Sequence, residues 1–117
     1  FATRVADILG KPFVMVRKKG KLPGETVGTD YSLEYGNNSI EVQKDAIKPG
    51  MKVALIDDLL ATGGTLGAAA ELIEKVGAKV SLLVCLISLD EPFLANMTSR
   101  KSLEENYLVR SVLHYDN

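Results

Sequence analysis

Apolar residues at Phe1, Val5, Ile8 and Leu9 recur three and four apart, a helical spacing, and Gly10 stands where a C-terminal cap belongs. After Pro12, the run Phe13-Val14-Met15-Val16 is too short for a helix and branched enough for a buried strand, which would deliver Arg17, Lys18, Lys19 and Lys21 at its carboxyl end. Three glycines and a proline between Gly20 and Gly28 predict a loop. Two short segments follow, Tyr31 to Tyr35 and Ser39 to Gln43, and they flank Gly36-Asn37-Asn38 as the arms of a hairpin flank a turn. Lys48-Pro49-Gly50 is a turn, and Val53-Ala54-Leu55-Ile56 is a continuous apolar strand whose end is marked by two aspartates.

From Thr65 the period changes to that of a helix. Leu66, Ala69, Ile73 and Val76 fall on one stripe, Gly77 stops it, and Val80 to Ile87 is again a buried strand. A strand, loop, helix and strand in that order build a parallel sheet, and such sheets bind ligands outside the carboxyl ends of their strands. The aspartates are expected there. Beyond Leu89 the pattern weakens into a polar helix with flanking loops over Asp90 to Asn106, and a last strand is expected from Tyr107 to Leu113. The prediction is an α/β fold in one domain, residues 1–117, with no internal repeat.

Composition narrows the classes. With 46% hydrophobic and 25% charged residues the chain can bury a core. A net charge of -1, from 14 basic and 15 acidic residues, gives no field for a nucleic-acid backbone. Cys85, the single cysteine, sits in an apolar run, which suits a packed thiol in a reducing compartment. No run is long enough for a membrane span and no secretory signal precedes the first helix, so the expected setting is cytoplasmic. The chain starts at Phe1 without an initiator methionine, and the expectation is a piece of a longer protein.

The chemistry concentrates in Asp57 to Thr65. A helix start presents N–H groups without intrahelical partners and the positive end of the helix dipole, and the glycines of Ala61-Thr62-Gly63-Gly64-Thr65 let an anion come close. Thr62 and Thr65 add hydroxyls, Thr65 placed to cap the helix. The Gly-Lys-Ser/Thr of a nucleoside-triphosphate loop is missing, so a single terminal phosphate fits better. Asp57 and Asp58, side by side at a strand end, can accept from vicinal sugar hydroxyls and influence a nearby magnesium ion without being its direct protein cage. Solvated turn residues would explain one aspartate, and an ordinary capped helix would need only one threonine. Phosphate plus diol indicates a phosphorylated ribose.

Val53 through Thr65 strongly resembles the signature of the type I phosphoribosyltransferases. Val16 to Gly24, Tyr31 to Gly36 and Gln43 to Gly50 resemble the adenine-using members in particular, and the resemblance runs from Phe1 to about Leu89. It implies the type I phosphoribosyltransferase fold, a mostly parallel sheet flanked by helices with a flexible hairpin loop. It also implies transfer of adenine to phosphoribosyl pyrophosphate, giving AMP and pyrophosphate with Mg2+, in a homodimer with no nucleic-acid or membrane partner. Ala61, Thr62, Gly63, Gly64 and Thr65 would hold the 5-phosphate, and Asp57 and Asp58 the ribose. Lys18 and Lys21, with Arg17, would contact pyrophosphate; as physics alone these are a basic loop. Glu34 would handle the proton at the adenine imidazole nitrogen or stabilise cationic character, and Tyr35 would close over the site as part of the loop lid, although spacing alone makes Glu34 an exposed hairpin residue. The family's hood over the base and an Arg-Gly loop would precede Phe1. A non-catalytic sensor of phosphoribosyl pyrophosphate, or an enzyme for another purine, remains the alternative. His114, Met15, Met51, Met97 and Cys85 are assigned no chemistry, and Asp90 to Asn106 no role.

Overall fold

The computed structural model describes residues 2–33 and 36–115. Two three-stranded sheets share a core through one helix. The chain opens with α1 (Ala2–Leu9), as its spacing predicts, though none of its residues is buried. An antiparallel sheet follows, from β1 (Arg17–Lys18), β2 (Thr26–Leu33) and β3 (Gly36–Gln43), in the order β1-β3-β2. The parallel sheet has the order β4-β5-β6, with β4 (Lys52–Leu60), α2 (Gly64–Lys75), β5 (Lys79–Leu89), the short α3 (Pro92–Ala95), α4 (Thr98–Asn106) and β6 (Val109–Tyr115) in succession.

Helix α2 ties these layers together. It touches β2 and β3 of one sheet, β4 and β5 of the other, and α4. That is why burial exceeds the single stripe expected from the sequence: Ala68 and Ala70 are buried along with Leu66, Ala69, Leu72 and Ile73. Alanines let backbones on several sides approach, while Leu72 and Ile73, fully enclosed, each contribute about 1.5–3 kcal/mol of burial. Past the C-cap Val76 stands Gly77, whose φ of 90° is left-handed and whose Cβ, if present, would lie 3.1 Å from Cβ of Pro49. Cys85 is wholly buried on β5, and burial, with the charges of Asp57 and Asp58 added, pushes its thiol up to about 11. It is a core residue, as expected.

The elements depart from the sequence reading in five places. Phe13 to Val16 forms no strand: it finds no ladder partner, and while Val14 and Val16 pack against the core, Phe13 and Met15 are 43% and 44% exposed. Pairing begins only at Arg17 and Lys18, opposite Glu41 and Ile40. The loop after it is shorter than expected, since Thr26, Val27 and Gly28 already pair with Gln43, Val42 and Glu41. Gly36, Asn37 and Asn38 are strand residues in register with Leu33, Ser32 and Tyr31, not a turn. β4 runs through both aspartates to Leu60, because Leu59 and Leu60 resume the parallel ladder opposite Ile87 and Ser88 and Leu60 is buried. The last strand starts at Val109, two residues late, after a segment that holds two helices.

Candidate functional site

Asp57 and Asp58 lie within β4, not beyond its end, and Asp57 stands opposite Cys85 in the parallel ladder. Asp57 is half-buried and Asp58 exposed. The Asp58 N–H donates to Asp57 Oδ1 at 2.8 Å, which fixes the first carboxylate and leaves the second to solvent. Burial raises the Asp57 carboxyl above its usual range, the Asp58 N–H opposes that, and the side chain and charge of Asp58 reinforce it. The pair is therefore electrostatically loaded, and among the described residues neither carboxylate is in an ion pair.

Ala61, Thr62 and Gly63 connect the end of β4 to α2. The helix begins at Gly64 with Gly63 as its cap, at a left-handed φ of 81°, so Thr65 is not the capping residue the sequence suggested. Threonine at the cap would have had to adopt that φ, which costs a branched side chain far more than glycine. Thr65 is the second helical residue and exposed. Thr62 instead turns its Oγ1 to accept from the Gly64 N–H at 3.3 Å, and the Gly63 carbonyl accepts the helix's first bond, from the Gly67 N–H at 2.9 Å. No acidic residue occupies the first turn of α2 to compete with an anion at its positive end.

The basic residues occupy the other sheet. Arg17 and Lys18 are β1 itself, exposed, and Lys19 and Lys21 stand in the turn that follows, so they are not carried on the carboxyl end of the parallel sheet. That turn is built on Glu41, a residue the sequence did not single out. Only 6% exposed, Glu41 accepts from the Gly20 N–H at 3.0 Å and from Thr26 Oγ1 at 2.9 Å. The Lys21 N–H returns to the Lys18 carbonyl at 3.2 Å and the Lys19 N–H pairs with the Ser39 carbonyl at 3.0 Å. Glu41→Ala is expected to destabilise the fold by about 1–3 kcal/mol, by leaving two donors unsatisfied, and Glu41→Gln by less because one acceptor survives. Urea denaturation of the three proteins checks this; equal midpoints would mean that the turn does not depend on Glu41.

A second unforeseen contribution comes from α4. Arg100 is buried behind the Ala61–Gly63 connection, and the Ser99 hydroxyl donates to the Thr62 carbonyl at 2.6 Å. Sequence offered little warning beyond Arg100 and Leu103 being three apart, as the buried positions of that helix are. His114 pairs with Asp90 at 2.7 Å near the rim of β6, in keeping with a structural part. Glu34 and Tyr35 lie outside the described residues. Among the described residues no group of three or more His, Cys, Asp or Glu side chains could hold a metal, and no helix is long and apolar enough to cross a membrane.

A family model, the phosphoribosyl transferase domain, matches residues 1–111. An adenine phosphoribosyltransferase of Agathobacter rectalis is 53% identical over 116 residues, 99% of this chain and 63% of that protein. The adenine phosphoribosyltransferase of Thermoanaerobacter pseudethanolicus superposes with a TM-score of 0.86 at 43% identity, over 97% of this chain and 62% of that one. That of Saccharomyces cerevisiae, solved with adenine and an imino-altritol bisphosphate, gives 0.81 at 41% identity, over 93% and 58%. The chain thus spans about 63% of the length of the first of these relatives. The likeness extends past Leu89, through the α3 and α4 segment where the sequence signature faded. With the type I phosphoribosyltransferase fold present and the family model matching nearly end to end, this chain belongs to the phosphoribosyl transferase domain family.

Proposed function

We propose that this chain carries the sugar-phosphate site of an enzyme that joins adenine to phosphoribosyl pyrophosphate, giving AMP and pyrophosphate in purine salvage. The observation that carries the reading is the glycine-capped start of α2, free of acidic residues, three residues after a β4 that carries the acid pair just before its last two residues. The 5-phosphate would rest on Ala61 to Thr65 and the ribose hydroxyls would donate to Asp57 and Asp58. Lys18 and Lys21, with Arg17, would offset the charge growing on pyrophosphate as an adenine ring nitrogen attacks the anomeric carbon. Such contacts accelerate the step only as far as they tighten in the transition state, so the chain works by positioning and electrostatics. Glu34 and Tyr35 are assigned the proton at the adenine imidazole nitrogen and the exclusion of water.

Magnesium fits these residues. It keeps most of its shell as water and substrate oxygens and needs only one or two carboxylates, and Asp57 and Asp58 are adjacent like charges that a cation beside them relieves. When bound it would supply positive charge to the pyrophosphate. The reading extends to a homodimer in a reducing, cytoplasmic setting, which the free, buried Cys85 suits.

The test is formation of AMP from labelled adenine, phosphoribosyl pyrophosphate and magnesium, beside hypoxanthine and guanine, on this chain and on any longer natural form that contains it. Adenine-selective turnover supports the enzyme. Binding of phosphoribosyl pyrophosphate without turnover of any base, in either form, would replace it with a sensor, and turnover of another purine would correct the base.

A further inference from the structure

We propose that Arg100 is a positioning residue that sets the direction of the Ala61–Gly63 amides toward the phosphate, an inference that rests on reading this connection as the 5-phosphate site. Arg100 is 3% exposed, yet every nitrogen of its guanidinium has an acceptor. Nη1 donates to the Ala61 carbonyl at 3.2 Å and to the Leu89 carbonyl, Nη2 to Ser88 Oγ at 2.6 Å and Asp90 Oδ1 at 2.7 Å, and Nε to Glu104 Oε1 at 3.1 Å. One planar fork thereby joins the end of β4, the end of β5 and α4.

Its neighbours complete the grip. Ser99 Oγ donates to the Thr62 carbonyl at 2.6 Å, and a Cβ on Gly63 would lie 3.1 Å from the Arg100 Cα. Ala61 and Thr62 are thus held by bonds from α4, and Gly63 packs against the Arg100 backbone. The consequence follows from peptide geometry: in a trans peptide the N–H points opposite to the carbonyl before it. With the carbonyls of Ala61 and Thr62 turned toward α4, the N–H groups of Thr62 and Gly63 are turned away from it. The positive charge of Arg100 is matched by Asp90 and Glu104, so its effect on a phosphate comes through the backbone it orients and not through its own field.

The test is the affinity of the folded protein for ribose 5-phosphate, measured by calorimetry well below the unfolding temperature, in Arg100→Gln, Arg100→Lys, Ser99→Ala and Val80→Ala. Arg100→Gln is expected to weaken binding about tenfold or more, and Arg100→Lys nearly as much, since an ammonium cannot reproduce the fork. Ser99→Ala, an exposed change that frees only the Thr62 carbonyl, should weaken it by about three- to tenfold. Val80→Ala, a buried truncation at the start of β5 opposite Val53 and away from the connection, should lower the unfolding temperature and leave affinity unchanged; a purely structural role would make affinity follow stability in all four. Wild-type affinity in folded Arg100 variants would overturn the proposal. If those variants do not fold, wild-type affinity in Ser99→Ala overturns it instead. A wild-type protein that binds no ribose 5-phosphate would sink the phosphate-site reading beneath it.

Discussion

Asp58→Asn leaves the chain folded and weakens its hold on ribose 5-phosphate by about 10- to 100-fold. A hydrogen bond to a charged acceptor is worth about 1.5–3 kcal/mol, and the amide has no charge and one acceptor oxygen where the carboxylate has two. Folding is spared because Asp58 is exposed and the bond it makes to Asp57 comes from its backbone N–H. Asp57 behaves differently. Its folded carboxyl titrates above the ordinary value of 3.8, so the ionised form costs stability, a cost that sets in as pH rises through 3.8 and is complete above the raised value. Asp57→Asn keeps the oxygen that accepts from the Asp58 N–H and removes that cost, so it should stabilise the fold at neutral pH while weakening ribose binding. Urea midpoints at pH 3 and pH 7 with a ribose 5-phosphate titration decide it: the stability gain must shrink at low pH, and unchanged affinity in Asp58→Asn would remove the sugar-hydroxyl role of the pair.

The acids, the glycines and the helix of this site could be read from the sequence because each is a local pattern. A buried run ending in carboxylates, paired glycines and a 3.6-residue period all lie within a few turns of chain, and the expected strand, helix and strand are all present. What could not be read was tertiary. Nothing near Phe13 says that its segment lacks a strand partner, and nothing near Asp58 says that Leu59 and Leu60 will rejoin the ladder opposite Ile87 and Ser88. Glu41 lies on a hairpin arm and Arg100 in a polar stretch, and local pattern singles out neither. Their burial depends on donors and acceptors as far as 21 and 39 residues away, Gly20 for one and Ala61 for the other. Resemblance carried the reading where spacing could not, to a reaction for the basic turn and for Glu34.

The dependence of this site on backbone geometry makes Gly63 the residue least able to change. Its φ of 81° belongs to a region that costs any other L-residue about 1–2 kcal/mol, and its Cβ would meet the Arg100 backbone at 3.1 Å, where α4 has no flexible side chain to move aside. Gly63→Ala must either strain this turn or push α4 outward, and moving α4 stretches the bonds from Ser99 and Arg100 to the carbonyls of Thr62 and Ala61. The expected loss is about 2–4 kcal/mol of stability, the strain plus part of that polar network, with weaker binding of ribose 5-phosphate in whatever remains folded. Gly67→Ala is the matched control. It is the fourth residue of the same helix, nothing lies within 4 Å of where its Cβ would be, and alanine is the better helix former there, so that variant should be neutral or stabilised. Denaturation midpoints and ribose 5-phosphate titrations of the two proteins separate the cases. A Gly63→Ala chain as stable and as tightly binding as Gly67→Ala would mean that the left-handed cap and the α4 contact are dispensable, and the phosphate would then have to be held by the side chains of Thr62 and Thr65.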